Sequence, residues 1–225
     1  MIEITKGETY GWETAIRGMR NPMNSWDKSD TAFYSYPEES VAHKIGENDL
    51  DLMLRLIKGG TEHRKFLRMI VVTVDINAPL YWWKEFDTYK VGTVANSCST
   101  MHKIHSKEFT LDDFSHEHLF DGIDVIEGEN DREYYENPTL YLEQIINVIN
   151  HYRTRYNDTK DKRYWWQMIQ LLPSSYNQKR TVQLNYEVLL AQYRQRKGHK
   201  LDEWRKFCEW IESLPYMSKF LEAMK

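Results

Sequence analysis

The stretch from Met69 to His105 constrains the fold most, because it joins a strand, a helix and a polar loop without a break. Its first eight residues alternate in character, and one face carries the apolar side chains of Ile70, Val72, Val74 and Ile76. This period of two predicts a half-buried strand.

A helix is expected directly after this strand. Asn77 is suited to an N-cap, and Pro79 to a first-turn position where its missing N–H removes no hydrogen bond. We expect the helix to run from about Leu80 to Lys90. Its aromatic residues recur at helical spacing and predict a buried stripe of Trp82, Phe86 and Tyr89.

The loop that follows, Gly92 to Thr100, contains mostly small and polar residues. Backbone N–H groups and hydroxyls of such a loop can surround an anion. A solvated surface loop is the alternative.

Composition and charge favour a single domain that does not bind polyanions. The chain has 225 residues, 41% of them hydrophobic and 14% aromatic, which suffices for one compact core over residues 1–225. The net charge of −4 and the pI near 6.1 exclude a general attraction to nucleic acid polymers or anionic membranes. A nucleotide would have to be held locally.

Several features predict a soluble, cytoplasmic protein without a membrane partner. Cys98 and Cys208 make no disulfide framework, and the opening residues lack the pattern of a signal peptide. No apolar run approaches the roughly 20 residues of a membrane helix.

The remaining elements are predicted from the spacing of apolar residues and from residues that end helices and strands. In the first part of the chain we expect a strand over Met1 to Lys6, a helix over Trp12 to Met19, a polar and aromatic loop over Asn24 to Glu38, and a helix over Glu47 to Lys58 that Gly59-Gly60 ends. An acidic, irregular insertion is expected around residues 107–137. Four more helices are predicted: Pro138 to Tyr156, Lys162 to Leu172, Thr181 to Lys197, and Leu201 to Leu214.

The order of these elements resembles the flavin-dependent thymidylate synthases. In that family a helix, a link with a His, a strand ending in Ala-Pro and a second helix lead into the signature Arg-His-Arg-x7-Ser. The corresponding residues here are Glu47 to Lys58, His63, Ala78-Pro79, Thr88-Tyr89-Lys90 and Cys98.

The C-terminal half continues the resemblance. The family's Leu-Pro pair, Thr-Val-Asn, Arg-bearing helix and final helix correspond to Leu172-Pro173, Thr181-Val182-Gln183, Arg194 and a helix starting near Leu201. Several residues depart from the family pattern. The first two signature residues are Thr88 and Tyr89, the signature Ser is Cys98, and the Arg two residues beyond it is Thr100.

The resemblance implies an α+β fold of the flavin-dependent thymidylate synthase type, with a central, mostly antiparallel sheet flanked by helices. It further implies an enzyme that methylates or otherwise modifies a pyrimidine nucleotide, dUMP or a relative. The cofactors would be FAD, NADPH and methylenetetrahydrofolate. Sites between the subunits of a homotetramer are part of the same expectation.

The resemblance also implies roles for individual residues. Arg194 would anchor or polarise the pyrimidine, Lys90 would meet a phosphate, and His63 would border the flavin. The implied cofactor-binding set is His63, Tyr89, Lys90, Asn96 and Gln183. The implied substrate-binding set is Arg194, Ser97, Cys98 and Thr100, with Thr93 also lining the nucleotide loop.

Alternative interpretations accompany these expectations. A nucleotide-binding or structural relative that lost flavin chemistry is the main rival, because the Arg-His-Arg sequence is missing. Cys98 can be a nucleophile or a small loop residue. Arg194, Arg196 and Lys197 can simply complement the negative end of a helix. We expect no metal site at the histidines of MHKIH and HEH.

Overall fold

The computed structural model describes residues 1–36, 39–127 and 133–224. Part of the acidic insertion, residues 128–132, therefore lies outside the described residues. The strands are β1 Glu3–Tyr10, β2 Ala32–Tyr36, β3 Glu39–Lys44, β4 Val71–Pro79, β5 Val94–Ser97, β6 Asp124–Glu127, β7 Glu133–Glu136 and β8 Asn177–Asn185. The α-helices are α1 Trp12–Arg20, α2 Glu47–Lys58, α3 Leu80–Phe86, α4 Pro138–Thr159, α5 Lys162–Leu171, α6 Tyr186–Arg196, α7 Asp202–Ser213 and α8 Met217–Ala223.

The main sheet has four antiparallel strands in the order β1-β4-β8-β5. Two separate hairpins accompany it. One pairs β2 with β3, and the other pairs β6 with β7, both antiparallel. The predicted α+β class, with a mostly antiparallel sheet flanked by helices, is confirmed.

The predicted central strand is confirmed, but the helix after it starts and ends differently. Val72, Val74 and Ile76 are buried on one face of β4, as the alternation requires. Asn77 was expected to cap the helix, but it lies inside the strand, which runs to Pro79. No side chain caps α3; instead the amide of Leu80 donates to the carbonyl of Tyr176 at 3.0 Å. The helix ends at Phe86 rather than Lys90.

The predicted helix over residues 181–197 is wrong in its first part. Residues 181–185 belong to β8, where Val182 and Leu184 are buried and Thr181 and Gln183 are exposed. The helix begins only at Tyr186, because the side chain of Asn185 accepts a hydrogen bond from the amide of Val188 at 3.1 Å. The Asn185 N-cap therefore marks the change from the strand period of two to the helical period of 3.6, although the two patterns follow each other without a break in the sequence.

Other corrections concern segments that were expected to be irregular. The polar segment over residues 24–38 contains β2, the Gly92 to Thr100 loop contains β5, and the acidic insertion contains the β6/β7 hairpin. Helix α8 was not predicted. In all these segments the strands or helices are seven residues long or shorter, so they offer little periodicity to detect.

Contacts group the chain into two compact units, although the sequence predicts one domain. The first unit comprises Met1–Glu3, Ile76–Thr88 and Asn96–Arg180, and the second comprises Ile4–Asp75, Tyr89–Ala95 and Thr181–Lys225. The single-domain organisation stays a prediction. No helix in the part of the chain that the structure describes is long and apolar enough to cross a membrane.

Aromatic and aliphatic side chains form the core of the first unit. Helices α4 and α5 pack together around a cluster of Ile104, Phe109, Phe114, Leu142, Ile146, Ile149 and Met168. Trp83 is fully buried and donates its indole N–H to the carbonyl of Gln178 at 2.8 Å. The guanidinium of Arg180 stacks on the same indole at 4.2 Å.

The second unit combines an aromatic core with a buried ion pair. Trp12 meets Tyr186 edge to face with ring centroids 5.2 Å apart, and the Tyr186 hydroxyl donates to a backbone carbonyl. Arg20 and Asp49 are 3% and 0% exposed, and Arg20 Nε lies 2.6 Å from Asp49 Oδ1. A charge this deeply buried requires its partner.

Candidate functional site

In the second unit, the segment that carries the signature-like residues is attached to helix α6 through Tyr89. The Tyr89 hydroxyl accepts a hydrogen bond from Arg196 Nε at 2.8 Å and donates one to Gln195 Oε1 at 2.9 Å. The Arg196 guanidinium lies 4.6 Å from the ring centroid of Trp204 and 5.5 Å from that of Tyr89. The Tyr89 hydroxyl therefore uses its one donor hydrogen and one of its acceptor positions for contacts with α6.

The same segment contacts α6 a second time at Gly92. This glycine has φ +76°, and a Cβ placed on it would lie 3.0 Å from Asn185 Nδ2 and 3.1 Å from Val188 Cγ2. A side chain here would be strained and crowded. Next to it, the hydroxyl of Thr93 is buried without a hydrogen-bond partner among the described residues. Gly92 therefore permits a close approach to the first turn of the helix.

Lys90 lies between these two attachment points and faces solvent. Its side chain is exposed and has no hydrogen-bond or ion-pair partner among the described residues. Its charge is thus available to an anion, whereas the neighbouring Tyr89 hydroxyl is already hydrogen-bonded.

Arg194 lies on the opposite face of α6 from Arg196. Two residues along an α-helix correspond to about 200° of rotation. Arg194 is exposed and, within the described residues, has no hydrogen-bond or ion-pair partner. It lines a cavity of about 420 Å³, formed with Tyr193, Lys197, Glu212, Ser218, Leu221, Glu222 and Met224.

One wall of this cavity contains a tyrosine–carboxylate pair. The Tyr193 hydroxyl donates to Glu212, and that hydrogen bond, together with burial, raises the pKa of Tyr193 to about 12. Tyr193 therefore stays protonated at neutral pH. Among the described residues, Arg194 and Lys197, the two cations of the cavity, form no ion pair with Glu212. The lining thus contains two cations and two carboxylates, Glu212 and Glu222, and the cavity can accommodate a polar ligand.

Two further predicted residues lie on the surface of the second unit. His63 follows α2 in a tight turn, its amide donating to the Gly60 carbonyl at 3.0 Å, and its ring is exposed. Gln183 is exposed on β8. Both side chains are accessible to a ligand.

The predicted nucleotide loop supplies the first unit with a second, smaller cavity. Asn96, Ser97 and Cys98 are exposed, and Thr100 is half-buried. The Cys98 amide donates to the Lys179 carbonyl at 2.9 Å, and its carbonyl accepts from Gln178 Nε2 at 2.7 Å, so its backbone is held on both sides.

Cys98 and Thr100 line this cavity of about 170 Å³ together with Asn77, Ser99, Asp112, Asp113, Tyr176, Asn177, Gln178 and Lys179. Burial, followed by the charges of Asp113 and Cys98, raises the pKa of Tyr176. The cavity is polar and contains one exposed thiol.

The structure thus brings some predicted residues together and identifies others that the sequence missed. Within the first unit, Cys98 and Thr100 share a cavity. Within the second, Tyr89 is joined to Arg196, which we had considered only as a helix-end charge. Lys197, which the sequence also suggests only as a helix-end charge, lines the same cavity as Arg194. The cluster of basic residues near the end of α6 was a sequence signal for a functional role. It could not identify the residues they contact, because Tyr89 is 107 residues away from Arg196.

In ranges 1–36, 39–127 and 133–224, no group of three or more His, Cys, Asp or Glu side chains could hold a metal ion.

Comparisons with known proteins identify the fold. No protein-family profile matches the chain, and no characterised protein matches it by sequence. Its structure is similar to a flavin-dependent thymidylate synthase from Helicobacter pylori solved with FAD and dUMP, with a TM-score of 0.64, 14% identity and 100% coverage of both chains. A second structure of that enzyme with FAD and dUMP also gives 0.64 and 14%, covering 99% of this chain and 100% of that one.

A third similar structure is a UMP/dUMP methylase from Streptomyces cacaoi bound with 5-Br UMP, with a TM-score of 0.60, 13% identity, and coverage of 100% of this chain and 92% of that one. The similarity covers 99–100% of this chain in all three comparisons. The resemblance seen in the sequence is therefore confirmed at the level of architecture: this chain has the fold of the flavin-dependent thymidylate synthases.

Proposed function

We propose that this protein binds a pyrimidine nucleotide of the dUMP or UMP type and modifies it, with methylation as the leading reaction. The observation that carries the proposal is Arg194. It is an exposed guanidinium without a partner in the described residues, at the position where the resembling family holds the pyrimidine, and it lines a cavity of about 420 Å³. The structural neighbours, solved with dUMP or 5-Br UMP, support the same ligand class.

Arg194 has the chemistry that a nucleotide requires. A guanidinium stays charged at physiological pH and presents planar donors that match a pyrimidine carbonyl edge or a phosphate. Lys197, the C-cap residue directly after α6, adds a second cation to the cavity. Arg194 would anchor the base and stabilise negative charge that develops on it during attack at the ring.

In the resembling family, a reduced flavin supplies the electrons and methylenetetrahydrofolate supplies the carbon. Of the residues that correspond to its flavin-binding positions, His63 and Lys90 have exposed side chains that can contact FAD. Thr88 and Tyr89 fit less well, because the Thr88 hydroxyl donates to the Glu85 carbonyl at 2.7 Å and the Tyr89 hydroxyl is bonded to α6. We propose that His63 and Lys90 hold the cofactor, and weakly.

The same observation favours a second candidate function. If the hydrogen bonds of Thr88 and Tyr89 exclude the flavin, the protein is a nucleotide-binding relative without flavin chemistry. Both candidates place a pyrimidine nucleotide at Arg194, and both are proposed for a cytoplasmic protein without a membrane or nucleic acid polymer as partner. The assembly proposed for either is a homotetramer.

Calorimetric titration of dUMP into the wild type and Arg194→Ala tests the proposal. A charge-assisted hydrogen bond contributes about 1.5–3 kcal/mol, so we expect about a tenfold to hundredfold loss of affinity in the variant. Arg205→Ala is the matched control, because Arg205 is an exposed arginine on α7 whose ion pair within the described residues is with Asp202, one turn away. Unchanged affinity in Arg194→Ala, or no binding by the wild type, would refute the nucleotide site.

A further inference from the structure

The first unit has a strongly basic surface where helix α4 is followed by helix α5. Residues 101–107 and 151–166 contain seven Lys and Arg residues but only two carboxylates, whereas the whole chain has a net charge of −4. A local excess of one charge attracts ligands of the opposite charge even when the protein as a whole repels them. We call these two segments together the basic corner.

Two hydrogen bonds attach the loop of the basic corner to both helices. The indole N–H of Trp165 on α5 donates to the carbonyl of Met101 at 3.1 Å. The side-chain amide of Asn157 on α4 donates to the carbonyl of His105 at 3.1 Å. Because these attachments lie on either side of Lys103, the loop holds this lysine beside the α4–α5 turn.

The lysines of this surface outnumber the carboxylates that could pair with them. Asp161 pairs instead with Arg163 at 2.6 Å, and the charge of Asp158 acts on Arg155. Three exposed lysines form no ion pair among the described residues: Lys103, Lys160 and Lys162. Their charges are therefore available to an anion.

His105 lies among these charges. Its ring meets Tyr156 edge to face with centroids 5.0 Å apart, and its Nδ1 is buried without a hydrogen-bond partner among the described residues. Lys160 Nζ lies 5.6 Å from the centroid of the same tyrosine ring. Burial, followed by the charges of Lys160 and Lys103, lowers the pKa of His105. Two lysines from different segments thus act on one imidazole.

Aromatic surface adjoins these cations. Lys162 Nζ lies 5.6 Å from the ring centroid of Trp166 and 5.9 Å from that of Trp165. Trp166 is 43% exposed, although tryptophan side chains are on average highly buried. An exposed ring can stack on a planar base, and lysines are suited to phosphate oxygens. The two features together match a ligand that contains both groups.

We propose that the basic corner binds a nucleoside polyphosphate, with its phosphates at Lys103 and Lys160 and its base at Trp166. Three unpaired lysines match a ligand with several negative charges better than a single carboxylate. A free nucleotide fits better than a nucleic acid strand, because the acidic remainder of the chain repels a long polyanion. The site belongs to the first unit and is independent of the one proposed at Arg194, which belongs to the second.

NMR titration of His105 in the full chain tests the proposal, with the His105→Gln variant identifying its signal. The pKa of His105 is measured alone and with ADP, inorganic pyrophosphate or adenosine, which separate the phosphates from the ring. Affinities are measured by calorimetry for the wild type and four variants: Lys103→Gln, Lys160→Gln, Trp166→Leu and the control Lys84→Gln. Lys84 is an exposed lysine on α3 of the same unit, outside the basic corner.

We expect ADP and pyrophosphate to raise the pKa of His105, because bound phosphate offsets the lysine charges, and adenosine to leave it unchanged. Lys103→Gln and Lys160→Gln should each raise this pKa without ligand and lower ADP affinity about two- to fivefold, the range for an exposed charge pair. Trp166→Leu should lower ADP affinity about fivefold or more and spare pyrophosphate, as for the loss of base stacking. Lys84→Gln should change none of these.

Other outcomes would overturn the site. They are no binding of ADP, binding that leaves the pKa of His105 unchanged, and equal ADP affinities in Lys160→Gln and Lys84→Gln. A decathymidylate strand that binds the basic corner more tightly than ADP would overturn the choice of a free nucleotide. Titration of dUMP into Arg194→Ala reports on the other unit, so failure of either site leaves the test of the other intact.

Discussion

Replacing Asp49 by asparagine tests what holds the N-terminal part of the second unit together. Asp49 Oδ1 accepts from Arg20 Nε at 2.6 Å. Its Oδ2 accepts from the hydroxyls of Ser29 at 2.8 Å and Thr31 at 2.6 Å, and from the amides of Asp30 at 3.1 Å and Thr31 at 3.0 Å. One carboxylate thus joins α1 and the segment before β2 to α2.

The size of the effect follows from burial. Asparagine keeps the shape of the side chain but replaces one acceptor oxygen with a donor and removes the counter-charge of Arg20, which is only 3% exposed. Breaking a buried ion pair on one side costs about 3–5 kcal/mol. We expect Asp49→Asn to lower the free energy of unfolding by that amount, a large part of the roughly 5–15 kcal/mol of a typical domain.

Urea denaturation at pH 7 measures the change, with Asp51→Asn as the control. Asp51 lies on the same helix, is exposed, and pairs with Arg55 at 2.9 Å. Removing such a surface pair changes stability by about 1 kcal/mol or less. A loss below about 1 kcal/mol for Asp49→Asn would refute the reasoning, because the buried carboxylate would then be no more important than the exposed one.

The pH dependence supplies a second check on Asp49. Burial alone would raise the pKa of this carboxyl, but hydrogen bonds from Thr31, Ser29 and Arg20 outweigh burial and lower it. A carboxylate whose pKa is lowered in the folded state stabilises the protein above its unfolded value, about 3.9, and loses that contribution as the pH falls through the folded pKa. The difference between wild type and Asp49→Asn should therefore be constant above about pH 5 and shrink below pH 4.

Three other predictions can be checked on the purified wild type. FAD should bind weakly, because the hydroxyls of Thr88 and Tyr89 are already hydrogen-bonded; tightly held, stoichiometric yellow flavin would contradict this. Any flavin-loaded form should be a tetramer by light scattering, and a flavin-loaded monomer would count against it. A thiol reagent should modify Cys98 in the folded protein and Cys208 only after unfolding, because Cys98 is exposed whereas burial raises the pKa of Cys208 to about 11. Two fast-reacting thiols in the native state would show that reasoning to be wrong.

Sequence reasoning succeeded where one periodicity covers a whole element. Strand β4 and helix α2 have uninterrupted apolar patterns and clear end signals, and both were found. It failed at β8, because Leu184, Val188 and Ala191 also fit a helical stripe. The structure shows that Ala191 is exposed and that the chain changes from a period of two to 3.6 at Asn185.

The candidate site was less accessible to the same reasoning. Order along the chain was enough to single out Arg194, Lys90 and Cys98 through a resemblance. It could not show that Arg196 reaches Tyr89, because 107 residues separate them. Helical periodicity places Arg194 and Arg196 on different faces of α6, but only the tertiary structure shows which residues each face contacts.

The direct junction between β8 and α6 limits how this protein can change in length. Strand β8 ends at Asn185 and α6 begins at Tyr186, so no linker residue separates them. Inserting one residue there would turn the helix by about 100° and advance it by about 1.5 Å. Arg194 would leave its cavity and Arg196 would leave Tyr89 in a single step. Related sequences should therefore gain or lose residues in the loops, and keep a constant count from residue 177 to residue 196.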